Sequence, residues 1–158
     1  MLYKKKNKKD VLYILKNLRN EDRLEALTQK GKNYIQELLN DIINTDDYVL
    51  IGTDKNNVPV CMGGIAKTNE SGVGIVWLLS TPEIINHQIS LLKKLSAELK
   101  KADEKYWFTF NILYKENELA KKWLSKFGFK FDNPKPIGLN IPKNFEFFYR
   151  KRETRGLK

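Results

Sequence analysis

The sequence predicts a single α+β or α/β domain, a mixed and mostly antiparallel central sheet flanked by helices. Its 158 residues are enough for one core and too few for two ordinary domains. Hydrophobic residues make up 41%, with 18 aromatics (Phe 8, Tyr 7, Trp 3), which favours a folded globule over disorder. Segments of helical and strand-like spacing follow one another as helix, helix, three strands, helix, strand, helix and two strands, the order of a sheet with helices packed on it.

From 10 to 18, Val11, Leu12, Leu15 and Leu18 fall at helical spacing. From 34 to 43, Tyr34, Ile35, Leu38, Leu39, Ile42 and Ile43 do so more strongly. DDYVLIGTD and VPVCMGGIA read as strands joined in a hairpin through Asp54, Lys55, Asn56 and Asn57. VGIVWLLS, 73 to 80, is apolar on both alternating faces, as a covered central strand would be. Ser80, Thr81, Pro82 and Glu83 combine hydroxyl caps, a proline and an acid, so a helix starts there and runs to about Lys101. Its expected buried stripe is Ile85, Ile89, Leu92, Leu95 and Leu99. KYWFTFNIL, 105 to 113, is a strand with Tyr106, Phe108, Phe110 and Ile112 on one face. Leu119, Ala120, Trp123, Leu124 and Phe127 share a helix face, which Gly128 ends in the left-handed conformation. Phe129 to Phe131 and Asn144 to Arg150 are the last strands, with a Pro-rich connection between them.

Several function classes are set aside by composition. One cysteine, Cys61, gives no internal disulfide, and no Cys/His cluster has metal spacing, so no metal is expected. No uninterrupted apolar stretch reaches about 18 residues, and the Lys run after Met1 has no apolar segment behind it, so a soluble protein without a membrane partner is expected. The net charge of +10 concentrates in KKKNKK (4 to 9) and RKRETRGLK (150 to 158). These read as basic tails, 1–9 and 151–158, around a domain of 10–150, solvated or docking on an acidic protein surface or DNA. Gly63-Gly64 lies inside a strand and opens no helix, so it marks a close backbone approach and not a nucleotide loop.

The element order, ending in Asn117-x-x-Ala120 and then Phe127-Gly128-Phe129, resembles the GNAT family, the Gcn5-related N-acetyltransferases. The resemblance spans roughly 8 to 150 in element order, with motif detail in the second half. GIVWLLST, Trp123-Leu124 before Gly-Phe, and NFEFFYR look like the GNAT-like proteins of tailed bacteriophages, of the internal virion protein A type. The resemblance implies acetyl-CoA lying where two parallel strands splay, with backbone groups of Trp77, Leu78 and Leu79 pairing with its amides, and with Gln88 and Asn117 as further contacts.

Two departures weaken that implication. The family's diphosphate loop carries glycines, whereas this chain offers Thr81, Pro82, Glu83, Ile84, Ile85, Asn86, His87 and Gln88, so acetyl-CoA binding is expected to be weak. The family's general-acid Tyr falls at Leu124, which cannot donate a proton, leaving Tyr114 and Ser125 as substitutes. Two functions stay open. One is an acyl-CoA-dependent N-acyltransferase with a degenerate cofactor site. The other is a non-catalytic virion structural or adaptor protein, made in the host cytoplasm, with other virion proteins as partners.

Overall fold

The computed structural model describes residues 1–132 and 138–152. In chain order the elements are β1 (Leu2–Lys5), α1 (Lys8–Lys16), α2 (Asn20–Lys30), α3 (Tyr34–Asn44), β2 (Val49–Thr53), β3 (Pro59–Lys67), β4 (Val73–Ser80), a 3-10 turn (Pro82–His87), α4 (Gln88–Lys105), β5 (Phe108–Tyr114), α5 (Glu118–Lys126) and β6 (Phe145–Lys151). The strands form one six-stranded sheet in sequence order, flanked by helices as expected. β1–β2, β2–β3 and β5–β6 are antiparallel and β4–β5 is parallel. Thr81 donates its N–H to Val60 O, and a Cβ on Gly63 would fall against Leu78, so β3 and β4 run in opposite senses.

Contacts divide the chain into two compact units, Met1–Ala66 with Val76–Leu91 and Lys67–Ile75 with Leu92–Lys158. In the first, Asn7 caps α1 by accepting the Asp10 N–H (3.0 Å), which turns Val11, Ile14 and Leu15 inward together. They pack with Leu39 and Ile42 of α3, Val49 and Ile51 of β2 and Met62 of β3, and Trp77 and Leu79 of β4 lie against this cluster. The β2–β3 hairpin turns where expected, with Asp54 Oδ1 accepting the N–H groups of Asn56 (2.8 Å) and Val58 (2.9 Å) while Asn57 takes φ 63°.

The N-terminal run, expected as a basic tail, instead holds a strand. β1 pairs with β2 from Leu2↔Thr53 to Lys5↔Leu50, and the Tyr3 hydroxyl donates to Ser90 O (3.2 Å). Lys4 pairs with Asp10 (2.6 Å), and Lys6 donates to Ile42 O (2.7 Å) and Thr45 O at the negative end of α3. The helix after β4 is also corrected. Its first six residues wind as a 3-10 turn, which shifts the phase of α4 behind it. Ile84 and Leu91 are buried, while Ile85 and Ile89 of the expected stripe are 58% and 74% exposed.

In the second unit, α4 extends to Lys105, so Tyr106 lies beyond the helix and β5 starts at Phe108. β5 and β6 carry an aromatic ladder in which Phe108 stacks on Tyr149 (5.7 Å) and Phe110 meets Phe147 (5.8 Å). Arg150 forks onto Asp103 (2.5 and 2.7 Å), and Lys121 pairs with Glu146 (2.6 Å). Arg150 and Lys151 therefore belong to β6, and Arg152 donates its N–H to Trp107 O (2.9 Å). The rest of the expected C-terminal tail, and residues 133–137 of the Pro-rich connection, lie outside the described residues. Gly128 ends α5 at φ 81°, as the sequence suggests, but Phe129 to Phe131 form no strand, only a bridge from Lys130 to Tyr149.

Because Trp123 is 3% exposed, Trp123→Ala should lower stability by about 3–5 kcal/mol in urea denaturation, the cost of an unfilled aromatic site. Removing residues 1–6 should also shift the urea midpoint downward. An unchanged midpoint would restore the tail reading.

Candidate functional site

The β4–β5 ladder registers Val73↔Phe108, Gly74↔Thr109 and Ile75↔Phe110 and goes no further, although β4 continues to Ser80 and β5 to Tyr114. Peptide groups of successive strand residues face opposite edges. Thr81 donates to Val60 on the β3 side, whereas Ser80 faces the other edge, giving its N–H to Asp22 Oδ2 (2.8 Å) and accepting the Arg19 N–H (2.9 Å). The alternation assigns the peptide groups of Trp77 and Leu79 to the β3 ladder and those of Leu78 to the opposite edge. Of the three expected backbone contacts, Leu78 has the orientation to pair with an incoming amide chain. The side chains of Trp77 and Leu79 are core.

Asp22 closes the end of that edge. It sits in the first turn of α2, 2% exposed, with Arg19 Nη2 on Oδ1 (3.0 Å) and the Ser80 hydroxyl on Oδ2 (2.9 Å). Burial pushes its carboxyl above the ordinary range, against the opposing pull of the Arg19 charge and the Arg19 and Ser80 donors. Sequence reasoning missed this junction. Asp22 near Arg19 is visible as local charge pairing, but nothing local announces a partner 58 positions away.

At the start of the 3-10 turn few donors face outward. The Thr81 N–H and hydroxyl both go to Val60 O (2.8 and 3.2 Å), and the Ile84 N–H goes to Thr81 O (3.1 Å). Glu83 accepts from Asn86 Nδ2 (3.1 Å) and lies 3.6 Å from His87 Nε2, so its charge is held over its own turn. Gln88 Nε2 donates to Ile85 O (3.1 Å), again within the turn.

The remaining candidates belong to the other compact unit. Asn117 is buried as the N-cap of α5, its Oδ1 accepting the Ala120 N–H (3.3 Å), which accounts for the Asn-x-x-Ala spacing by local geometry. Tyr114 donates its hydroxyl to Glu116 Oε2 (3.3 Å), and the Glu116 charge holds the phenol pKa above its usual value. Ser125 is exposed near the end of α5. Among the described residues no group of His, Cys, Asp or Glu is arranged to hold a metal, and no helix is long and apolar enough to cross a membrane.

Neither a family model nor a curated protein sequence matches the chain. Solved structures do. The chain is similar to an acetyltransferase of the GNAT family from Streptococcus pneumoniae (16% identity, 95% of this chain and 98% of that one covered, TM-score 0.64). It is similar to the PaiA N-acetyltransferase from Thermoplasma acidophilum, solved in complex with coenzyme A (16%, 95% and 98%, 0.64). A Gcn5-related N-acetyltransferase from Kribbella flavida superposes with TM-score 0.68 at 10% identity, over 95% of this chain and 96% of that one. Such likenesses show the fold, and the fold is that of the GNAT acetyltransferases.

Two outcomes test the local chemistry. Burial pushes the Cys61 thiol up to about 12, so it should resist alkylation at pH 8 in the native chain and react once urea unfolds it. Asp22→Ala leaves Arg19 and the Ser80 N–H without their carboxylate and should cost about 3–5 kcal/mol, more than Ser80→Ala, in the same denaturation assay.

Proposed function

We propose that the chain is an acyl-CoA-dependent N-acyltransferase that grips its donor mainly along β4 and only weakly at the helix start. The observation that carries the reading is the end of the β4–β5 ladder at Ile75, past which Leu78 turns its N–H and C=O to the edge away from β3. A pantetheine arm carries two amides, the chemistry that pairs with such an edge. The GNAT fold of the solved acetyltransferases, one of them in complex with coenzyme A, supports the same donor.

Fit is good at the pantetheine and poor at the diphosphate. Pro82 has no N–H, Thr81 spends its donors on Val60, and Glu83 brings negative charge to the turn. Bound acyl-CoA would supply an activated thioester for attack by a neutral amine. For its part, the chain would align the donor along Leu78.

A second reading, a virion structural or adaptor protein that keeps the fold without the chemistry, is favoured by Leu124 at the usual place of the acid. It rests on the sequence resemblance to phage proteins. Mass spectrometry of purified particles against lysate separates the two.

Calorimetry should detect acetyl-CoA binding by the intact chain, weaker than a glycine-cradled site would give. Leu78→Pro removes one outward N–H without touching the β3 ladder, so binding should weaken by about 0.5–1.5 kcal/mol while circular dichroism stays native. Glu83→Gln should tighten binding by about 0.3 to 1 kcal/mol, the scale of a helix-terminus charge. Absence of any binding, or equal binding by Leu78→Pro, would overturn the acyltransferase reading.

A further inference from the structure

We infer that the outer groove between α1 and α3 is a docking site for an acidic peptide segment with apolar side chains on a partner protein. The groove encloses about 500 Å3 and is lined by nine residues, of which three are lysines (Lys8, Lys16 and Lys32), three are apolar (Leu12, Ile35 and Leu39) and three are amides. No carboxylate lines it.

The groove lysines are set apart from the cations that are spent in ion pairs. Lys4, Lys30, Lys94, Lys121 and Arg150 each meet a carboxylate within 2.9 Å. None of the three groove lysines meets one among the described residues. Lys8 and Lys16 stand eight residues apart on one helix, about 12 Å along its axis. Leu12 falls midway between them at helical spacing, so the row reads cation, apolar, cation along one face. Complementarity calls for an anionic partner.

The floor decides which anion. A nucleic acid would meet the lysines with its phosphates but find no aromatic lining on which to stack its bases. An acidic segment bearing Leu or Ile meets both the cations and the half-buried Leu12 and Ile35 above the core residue Leu39. This site is separate from β4 and independent of the acyltransferase reading.

Fluorescence anisotropy tests it with a labelled peptide of sequence EELLEELLEELLEE, the same peptide with Ser for each Leu, and single-stranded oligothymidine. The intact chain should bind the Glu/Leu peptide about tenfold more tightly than the Glu/Ser peptide, with affinity falling as salt is added. Lys8→Glu/Lys16→Glu/Lys32→Glu should reduce that binding by about tenfold or more, and Lys55→Glu/Lys100→Glu/Lys122→Glu, with the same change in net charge, by less than about threefold. All six lysines are exposed, so both variants should fold, which circular dichroism checks. Equal losses in the two variants would reduce the effect to net charge, and equal binding of both peptides would remove the apolar floor from the argument. Tighter binding of oligothymidine would transfer the groove to nucleic acid. Any of these three results, or no binding of the Glu/Leu peptide, overturns the proposal.

Discussion

The end of β4 depends on one carboxylate. Ser80 occupies the edge of β4 opposite β3 and is itself buried, so its N–H and C=O must find partners away from water. Asp22 and the Arg19 N–H provide both, and the Ser80 hydroxyl adds a third bond. Thr81 is fixed from the other side by Val60. The strand is thus held at consecutive residues by α2 and by β3, which sets the register from which Leu78 inherits its outward peptide. The same two anchors set where the chain leaves the sheet, and so where the 3-10 turn begins.

What was legible in the sequence was local. The hairpin at Asp54–Asn57, the Gly128 stop and the core face of α3 each follow from residues within a few positions of one another, while on α1 the buried Ile14 joins Val11 and Leu15 and Leu12 stays partly exposed. α2 went unread because NEDRLEALTQK places few apolar residues on its buried side, and the charged Asp22 does the packing that a leucine would announce. β1 went unread because LYKK looks like the start of a basic tail. Its pairing with β2 and the engagement of Lys6 by the α3 carbonyls are long-range facts. Ile85 and Ile89 were misassigned because helical spacing was counted through residues that wind at three per turn.

The candidate site is implied by the family resemblance, which carries no direction. VGIVWLLS reads as a covered strand, and only the Thr81 and Ser80 hydrogen bonds decide that Leu78, and not Trp77 or Leu79, faces the edge away from β3. The scale of the two binding contributions then decides how the missing glycines weigh. One backbone hydrogen bond contributes about 0.5–1.5 kcal/mol net and a helix-terminus charge about 0.3–1, so the Leu78 edge can offset the Glu83 charge but not the several charged hydrogen bonds that a glycine cradle gives a diphosphate. On the acyltransferase proposal, the chain would therefore hold the thioester end, where the chemistry happens, more firmly than the diphosphate.

Charge shows the same division between what composition states and what geometry resolves. A net charge of +10 invites a reading of tails reaching for a polyanion. Yet Lys4 and Lys6 at one end, and Arg150 and Arg152 at the other, are spent on Asp10, on the α3 carbonyls and on Asp103 or its backbone. Cations committed to internal partners gain little from an external anion, since each would have to give up one interaction for another of similar size. Cations without such partners carry the field that a ligand feels. Lys8, Lys16 and Lys32 belong to that second class, and the fold sets them around an aliphatic floor. Their placement on helices also matters, because a charge fixed on a rigid scaffold loses less freedom on binding than one on a solvated tail.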